Sequence, residues 1–320
     1  MSEKRATREA YGATLIELAN EGVPVVAVDA DLSGSTTTAK FGAAYPDRLF
    51  NVGIAEQNMI GTAAGLAVEG KVAFTGSFAV FATGRAYDQI RNTVCYSNLD
   101  VKVAPTHSGI TVGPDGGSHQ MLEDIALMRV LPGMRVLVPA DAVAARAAIR
   151  VAATTPGPFY VRLGRAAVPV IYGDDYIFEL GKATVLREGT HVTLAACGVM
   201  VEQALKAAEE LELDGIHAEV LDVSTIKPLD AATIVASALK TGAVVTCEEH
   251  SIIGGLGSAV AETLGENAPV PLARVGVRDV FGTSGEPGEL MEHFGLTAPH
   301  IAEAAREILS RRASVSSAHL

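Results

Sequence analysis

The chain has 320 residues, 48% of them hydrophobic and 19% charged, with a net charge of −12; that is apolar material for two domains of ordinary size. The acidic balance argues against nucleic acid or an anionic membrane as the main partner, since either would repel the chain. The opening MSEKRATREAYG carries charge where a signal peptide needs an apolar core, and the longest apolar runs are of buried-strand length, so a cytoplasmic protein with no membrane span is expected.

An N-terminal helix is predicted over about 5–20, where Tyr11, Leu15 and Leu18 share one face. PVVAVDA (24–30) reads as a buried strand. RLFNVG (48–53), KVAFTGS (71–77), VKVAPTH (101–107), MRVLVPA (134–140) and FYVRLG (159–164) follow as further strands. Helices are expected between them, including 55–70 and 140–154. Near-continuous apolar strands separated by helices predict an α/β fold with a mostly parallel sheet covered on both faces. A Gly/Asp-containing stretch at 171–182 reads as a linker, after which the alternation restarts with HVTLAAC, HAEVLDV, AVVTCEE and LARVGVRDV. Two domains are therefore expected, 1–172 and 181–312, with a disordered tail at 313–320.

Cys95, Cys197 and Cys247 lie far apart without a CxxC and read as buried small hydrophobes in a reducing compartment. Gly254-Gly255-Leu256-Gly257 invites a dinucleotide-binding reading. The third glycine and the downstream acidic residue are missing, so a tight strand-to-helix turn is expected. The mean hydropathy of +0.28 hints at surface meant to be covered, although a large α/β core explains it nearly as well.

Three polar clusters fall at the carboxyl ends of strands, where parallel sheets carry their sites. They are Asp29-Ala-Asp31-Leu-Ser-Gly-Ser35, Asn51-Val-Gly-Ile-Ala-Glu56-Gln57-Asn58, and the long loop from Thr106 and His107 through Asp115 to His119 and Gln120. Singly, each has an ordinary explanation. Asp31 and Ser35 could cap a helix, Glu56 could complement a helix dipole, and the histidines could be hydrogen-bonded loop residues.

Their order and spacing together resemble the transketolase family from about Arg8 to Leu309. GIAEQN is similar to its GI-x-E-[HQ] segment and THSGITVGPDGGSHQ to its TH-x5-G-x-DG-x2-HQ loop; GSFAVF matches its pyrimidine wall. STIKPLD, EEHSIIGGLGSAV and FGTSGEPGELMEHFGLT are family-like in the second domain. The resemblance implies a pyrimidine-binding domain of thiamine-diphosphate enzymes followed by a transketolase C-terminal domain.

It also implies roles for residues. Glu56 would hydrogen-bond the aminopyrimidine ring and drive its activating tautomer, with burial favouring a carboxyl that keeps its proton. Phe78 and Phe81 would wall and stack on that ring, and Asp31 would order the cofactor edge near the dimer interface. His107 and His119 would line the substrate channel, bonding sugar hydroxyls and shuttling protons. Asp115 would hold an acceptor hydroxyl, and Arg8, Ser35 and Arg165 a terminal phosphate, which the planar Arg fork suits. Asn58 and Gly84 depart from the residues frequent in the family and leave substrate choice open.

No Gly-Asp-Gly occurs in the sequence, so the chain offers no set for Mg²⁺ and diphosphate. The expected function is one subunit of a split transketolase, inactive alone. It would transfer a two-carbon ketol unit between phosphorylated sugars. An N-terminal-half partner would bring Mg²⁺ and share thiamine diphosphate in an α2β2 assembly. Alternatives are a deoxyxylulose-phosphate-synthase-like chain, a 2-oxoacid dehydrogenase β-type subunit, or a non-catalytic scaffold.

Overall fold

Val25–Asp29 is a β-branched run with every residue buried, and it forms a central strand of the first domain. The computed structural model describes residues 3–317, with side chains through Arg311. In chain order the strands of the first domain are β1 (Lys4–Ala6), β2 (Val25–Asp29), β3 (Leu49–Asn51), β4 (Val72–Gly76), β5 (Val101–Val103), β6 (Arg135–Leu137), β7 (Phe159–Val161) and β8 (Ala167–Pro169). Those that follow are β9 (Thr184–Arg187), β10 (Val192–Ala196), β11 (Ala218–Asp222), β12 (Thr225–Lys227), β13 (Val244–Ser251) and β14 (Leu272–Val277). The larger sheet has the order β12-β6-β7-β5-β4-β2-β3, and the smaller β14-β13-β10-β11-β9. Each is parallel except at one edge, where β12 and β9 run antiparallel. The expected α/β architecture, two mostly parallel sheets flanked by helices, is what the chain adopts.

The helices follow their local signals. Thr7–Asn20 buries Tyr11, Leu15 and Leu18, and the Tyr11 hydroxyl donates to the Thr75 carbonyl at 3.0 Å. Ala142–Thr154 is Ala-rich and capped by Asp141, whose Oδ1 accepts from the Ala144 amide at 2.7 Å. The other oxygen of that carboxylate accepts from the Ile171 and Tyr172 amides, so the helix cap also anchors the start of the linker.

Four features depart from expectation. β1 and β8 form a small antiparallel ribbon that neither end of the sequence announces. β12 follows β11 in the chain yet joins the first domain's sheet beside β6, with Thr225 opposite Leu137. One apolar cluster is continuous across the two sheets, from Val136, Val138 and Tyr160 to Cys197, Leu221, Val223 and Ile226. Lastly, the helix Ala298–Ser317 continues into the segment expected to be a disordered tail. No Gly or Pro after Pro299 is present to stop it. Residues 318–320 lie outside the described residues.

Cys95, Cys197 and Cys247 are free and buried, as expected, and burial pushes the Cys95 thiol up to about 11. Gly255 opens the helix Leu256–Asn267. The carboxylate of Glu248 accepts from the Leu256 and Gly257 amides at 2.7 and 2.8 Å, and a side chain at Gly255 would collide with it. The anion position of this glycine-rich turn is thus filled from within. Among the described residues, no helix is long and apolar enough to cross a membrane.

Candidate active site

The carboxyl edge of the first sheet carries all three polar clusters. Beyond β4 and β5, Phe78 and Thr106 form an isolated parallel bridge, and the Ala79 amide donates to the Thr106 carbonyl at 2.8 Å. That pairing sets Phe78 beside His107. Their rings stack with centroids 3.8 Å apart, and His107 is held in the left-handed region at φ 58°. Phe78 lies 6.0 Å from Phe81, whose ring in turn meets His119 edge-on at 5.3 Å. These four rings therefore line one continuous wall.

Glu56 is the first residue of the helix Glu56–Val68 and only 4% exposed. Its carboxylate meets the Arg85 guanidinium at 3.4 Å, and the same guanidinium lies 4.1 Å over the Phe81 ring. Arg85 thus joins the carboxylate to the aromatic wall, a link the sequence did not disclose. Glu56 and Arg85 stand 29 positions apart, beyond the reach of any local pattern. Asp31, also in the left-handed region, accepts from the Asn51 amide group at 3.2 Å, and Asn51 accepts from the Gly53 amide. This ties Asp31 to the corner that leads into Glu56.

Arg8 and Ser35 come together, but through the Ser35 carbonyl, which accepts from Arg8 Nη1 at 3.0 Å. Arg165 donates to the Val112 carbonyl and lies 3.7 Å from Asp115. Burial and the neighbouring Arg165 lower the Arg8 pKa. His107 is affected more strongly. Burial, then the charges of Arg8, Arg165 and His119, push its pKa down to about 3. Its Nδ1 shares a hydrogen bond with the Thr106 hydroxyl at 2.8 Å. At neutral pH His107 is therefore a neutral, hydrogen-bonding imidazole, not the group titrating near neutrality that the sequence suggested.

Beneath the loop lies a buried ion-pair network that no sequence motif marks. Arg162 is buried and bidentate to Asp124, with contacts of 2.7 and 3.2 Å. It also lies 3.6 Å from Glu249, which belongs to β13 of the second sheet. Among the described residues, no group of three or more His, Cys, Asp or Glu is arranged to hold a metal ion.

A two-domain α/β chain with aromatic rings, a buried carboxylate and paired histidines at one sheet edge defines a class of cofactor-assisted sugar chemistry only by analogy. Comparison with known proteins is specific. The family model for "Transketolase, pyrimidine binding domain" matches residues 3–170, and that for "Transketolase, C-terminal domain" matches residues 181–301. The chain belongs to the transketolase family. It is 49% identical to the 6-deoxy-6-sulfo-D-fructose transketolase subunit SqwH of Clostridium sp. MSTE9, over 97% of this chain and 96% of that one. It is 41% identical to an apulose-4-phosphate transketolase subunit of Phocaeicola vulgatus, over 96% and 98%. A solved structure described as a split gene transketolase, inactive beta4 tetramer, matches with a TM-score of 0.89 and 52% identity, over 96% of this chain and 99% of that one.

Proposed function

We propose that this chain is the pyrimidine-facing subunit of a two-subunit transketolase, moving a two-carbon ketol unit between sugars that end in an anionic group. The observation that carries the reading is the convergence of buried Glu56 with the Phe78–Phe81 wall and both histidines at one sheet edge. The residues fit the aminopyrimidine of thiamine diphosphate. The Phe81 ring is half-buried, and the part-exposed Arg85 guanidinium that lies over it also meets Glu56, so a flat ring displacing that guanidinium would meet both the aromatic face and the carboxylate. When bound, the cofactor supplies the nucleophilic carbon that takes up the two-carbon unit.

Everything else falls to the chain's own side chains. Glu56 would hold a proton against the pyrimidine ring nitrogen, Phe81 would fix the ring's tilt, and Asp31 would order its edge. Neutral His107 and its neighbour His119 would hydrogen-bond substrate hydroxyls, with Asp115 on the acceptor. Arg8 and Arg165, beside Ser35, would take the terminal anion as planar, permanently charged forks. The names of the two relatives support an anion, one being a sulfonated and the other a phosphorylated sugar.

The partner would be an N-terminal-half subunit that brings Mg²⁺ and the diphosphate contacts, in an α2β2 assembly. Two facts support this: the chain spans nearly all of the split-gene relatives, and the structural neighbour, a β4 tetramer, is described as inactive. Phe50 and Ile54 stand exposed on the approach to Glu56, apolar surface suited to cover by another chain. Titrating thiamine diphosphate and Mg²⁺ into the chain alone should give no tight binding. Addition of a partner carrying Gly-Asp-Gly should create it together with ketol transfer. Tight Mg²⁺-dependent binding by the lone chain would overturn the split reading.

A further inference from the structure

Each histidine of the site stands two residues before one end of an isolated antiparallel bridge. His107 precedes Gly109 and His119 precedes Met121; the Gly109 amide donates to the Met121 carbonyl at 3.0 Å. Whatever fixes this bridge fixes the spacing of the two imidazoles. The groups that grip it are Glu249 and Ser251 of β13 in the other sheet, with Arg162, which follows β7 of the first sheet, between them. Glu249 of β13 accepts from the Thr111 amide at 2.7 Å through Oε1, and its carboxylate packs so closely on Gly109 that a side chain there would collide with it. Its second oxygen faces Arg162 at 3.6 Å. Arg162 donates to the Met121 carbonyl at 3.3 Å and the Glu249 carbonyl at 3.0 Å. Two residues further along β13, the Ser251 amide donates to the Leu122 carbonyl at 2.8 Å. The C-terminal domain therefore holds both ends of the histidine loop through one strand end.

We propose that Glu249 is a positioning residue, through which the C-terminal domain sets the spacing and orientation of His107 and His119 without touching substrate. The proposal rests on the reading of the histidines as substrate-channel residues. Its physical basis is the cost of leaving a buried carboxylate site half-satisfied. Removing Glu249 strands the Thr111 amide and one face of Arg162, so the loop base must move to find partners. A displacement of about 1 Å at such a distance can cost on the order of 100-fold in rate.

The test reads the loop directly on the full chain carrying ¹³C-labelled histidine, with His107→Gln used to assign the signal. Wild-type His107 should show an upfield ring-proton shift from its stack on Phe78. In Glu249→Ala that shift should be lost while circular dichroism and cooperative unfolding persist. In the complex with a partner subunit, kcat/KM for sugars should fall about 10–100-fold while the Kd for thiamine diphosphate stays within about twofold. A carboxylate that merely joins the domains would lower Tm and leave the His107 signal in place, which would overturn the proposal. Should the Ala variant fail to fold, Glu249→Gln keeps an acceptor for Thr111 but loses the charge facing Arg162. Partial loss of the shift supports the proposal there, and an unchanged spectrum sinks it. Because the shift is read on the chain alone, an inactive wild-type complex would discredit the proposed function without deciding this point.

Discussion

Glu56 carries the sharpest difference between an ordinary and a chemical role. As a helix-end carboxylate it would contribute about 0.3–1 kcal/mol of stability and nothing else. As the proton-holding partner of the pyrimidine, its loss should stop cofactor activation. Glu56→Gln is expected to fold and pair normally while kcat drops by about 10²–10⁴, the worth of a general acid–base group. Exchange of the thiazolium proton with deuterated water, followed by NMR in the complex, isolates that step; wild-type exchange in the variant would return Glu56 to its ordinary role. The carboxylate itself was legible, because GIAEQN sits at a strand-to-helix junction. The state of His107 was not. Its pKa of about 3 comes from burial and from Arg8, Arg165 and His119, charges brought to it by distant parts of the chain.

Among the elements, the stretch Val80–Arg85 is a π-helix, a form that occurs mostly as short insertions and often at functional sites. It places Arg85 over a face of the Phe81 ring, the ring on which the proposed function stacks the pyrimidine. The guanidinium is more than half exposed, so its hold on the ring and on Glu56 together is worth only about 1 kcal/mol. If the ring must displace it, Arg85→Ala should tighten cofactor binding to the complex about three- to tenfold, read by titration; weaker binding would mean that Arg85 helps to hold the cofactor. The buried strands were readable because both of their faces are covered, which leaves unbroken apolar runs such as PVVAVDA. β9 and β12 were not. Segments of three or four residues at a sheet edge carry no period that separates them from loop, and only tertiary pairing defines them.

For the molecule as a whole, β12 and the shared apolar cluster join the two sheets, so they are expected to unfold as one cooperative body. Ile226, 1% exposed, sits in β12 within that cluster. Ile226→Ala should cost about 2–5 kcal/mol and lower a single calorimetric transition, leaving no separately melting domain. Two resolved transitions, only one of them shifted, would show that the sheets unfold independently.

The crossing of β12 also bears on where this polypeptide can be divided. The stretch at 171–182 looks in the sequence like a natural place for scissors, and so a natural place to separate the two functions. A fragment ending there would keep β6 but lose the strand that covers its flank. Its bare backbone would be a template for pairing with other chains, and expression trials would see it as insolubility. The gene can be parsed into two pieces at that stretch; the protein is expected to resist the same cut, and a soluble, monomeric fragment 1–172 would show otherwise.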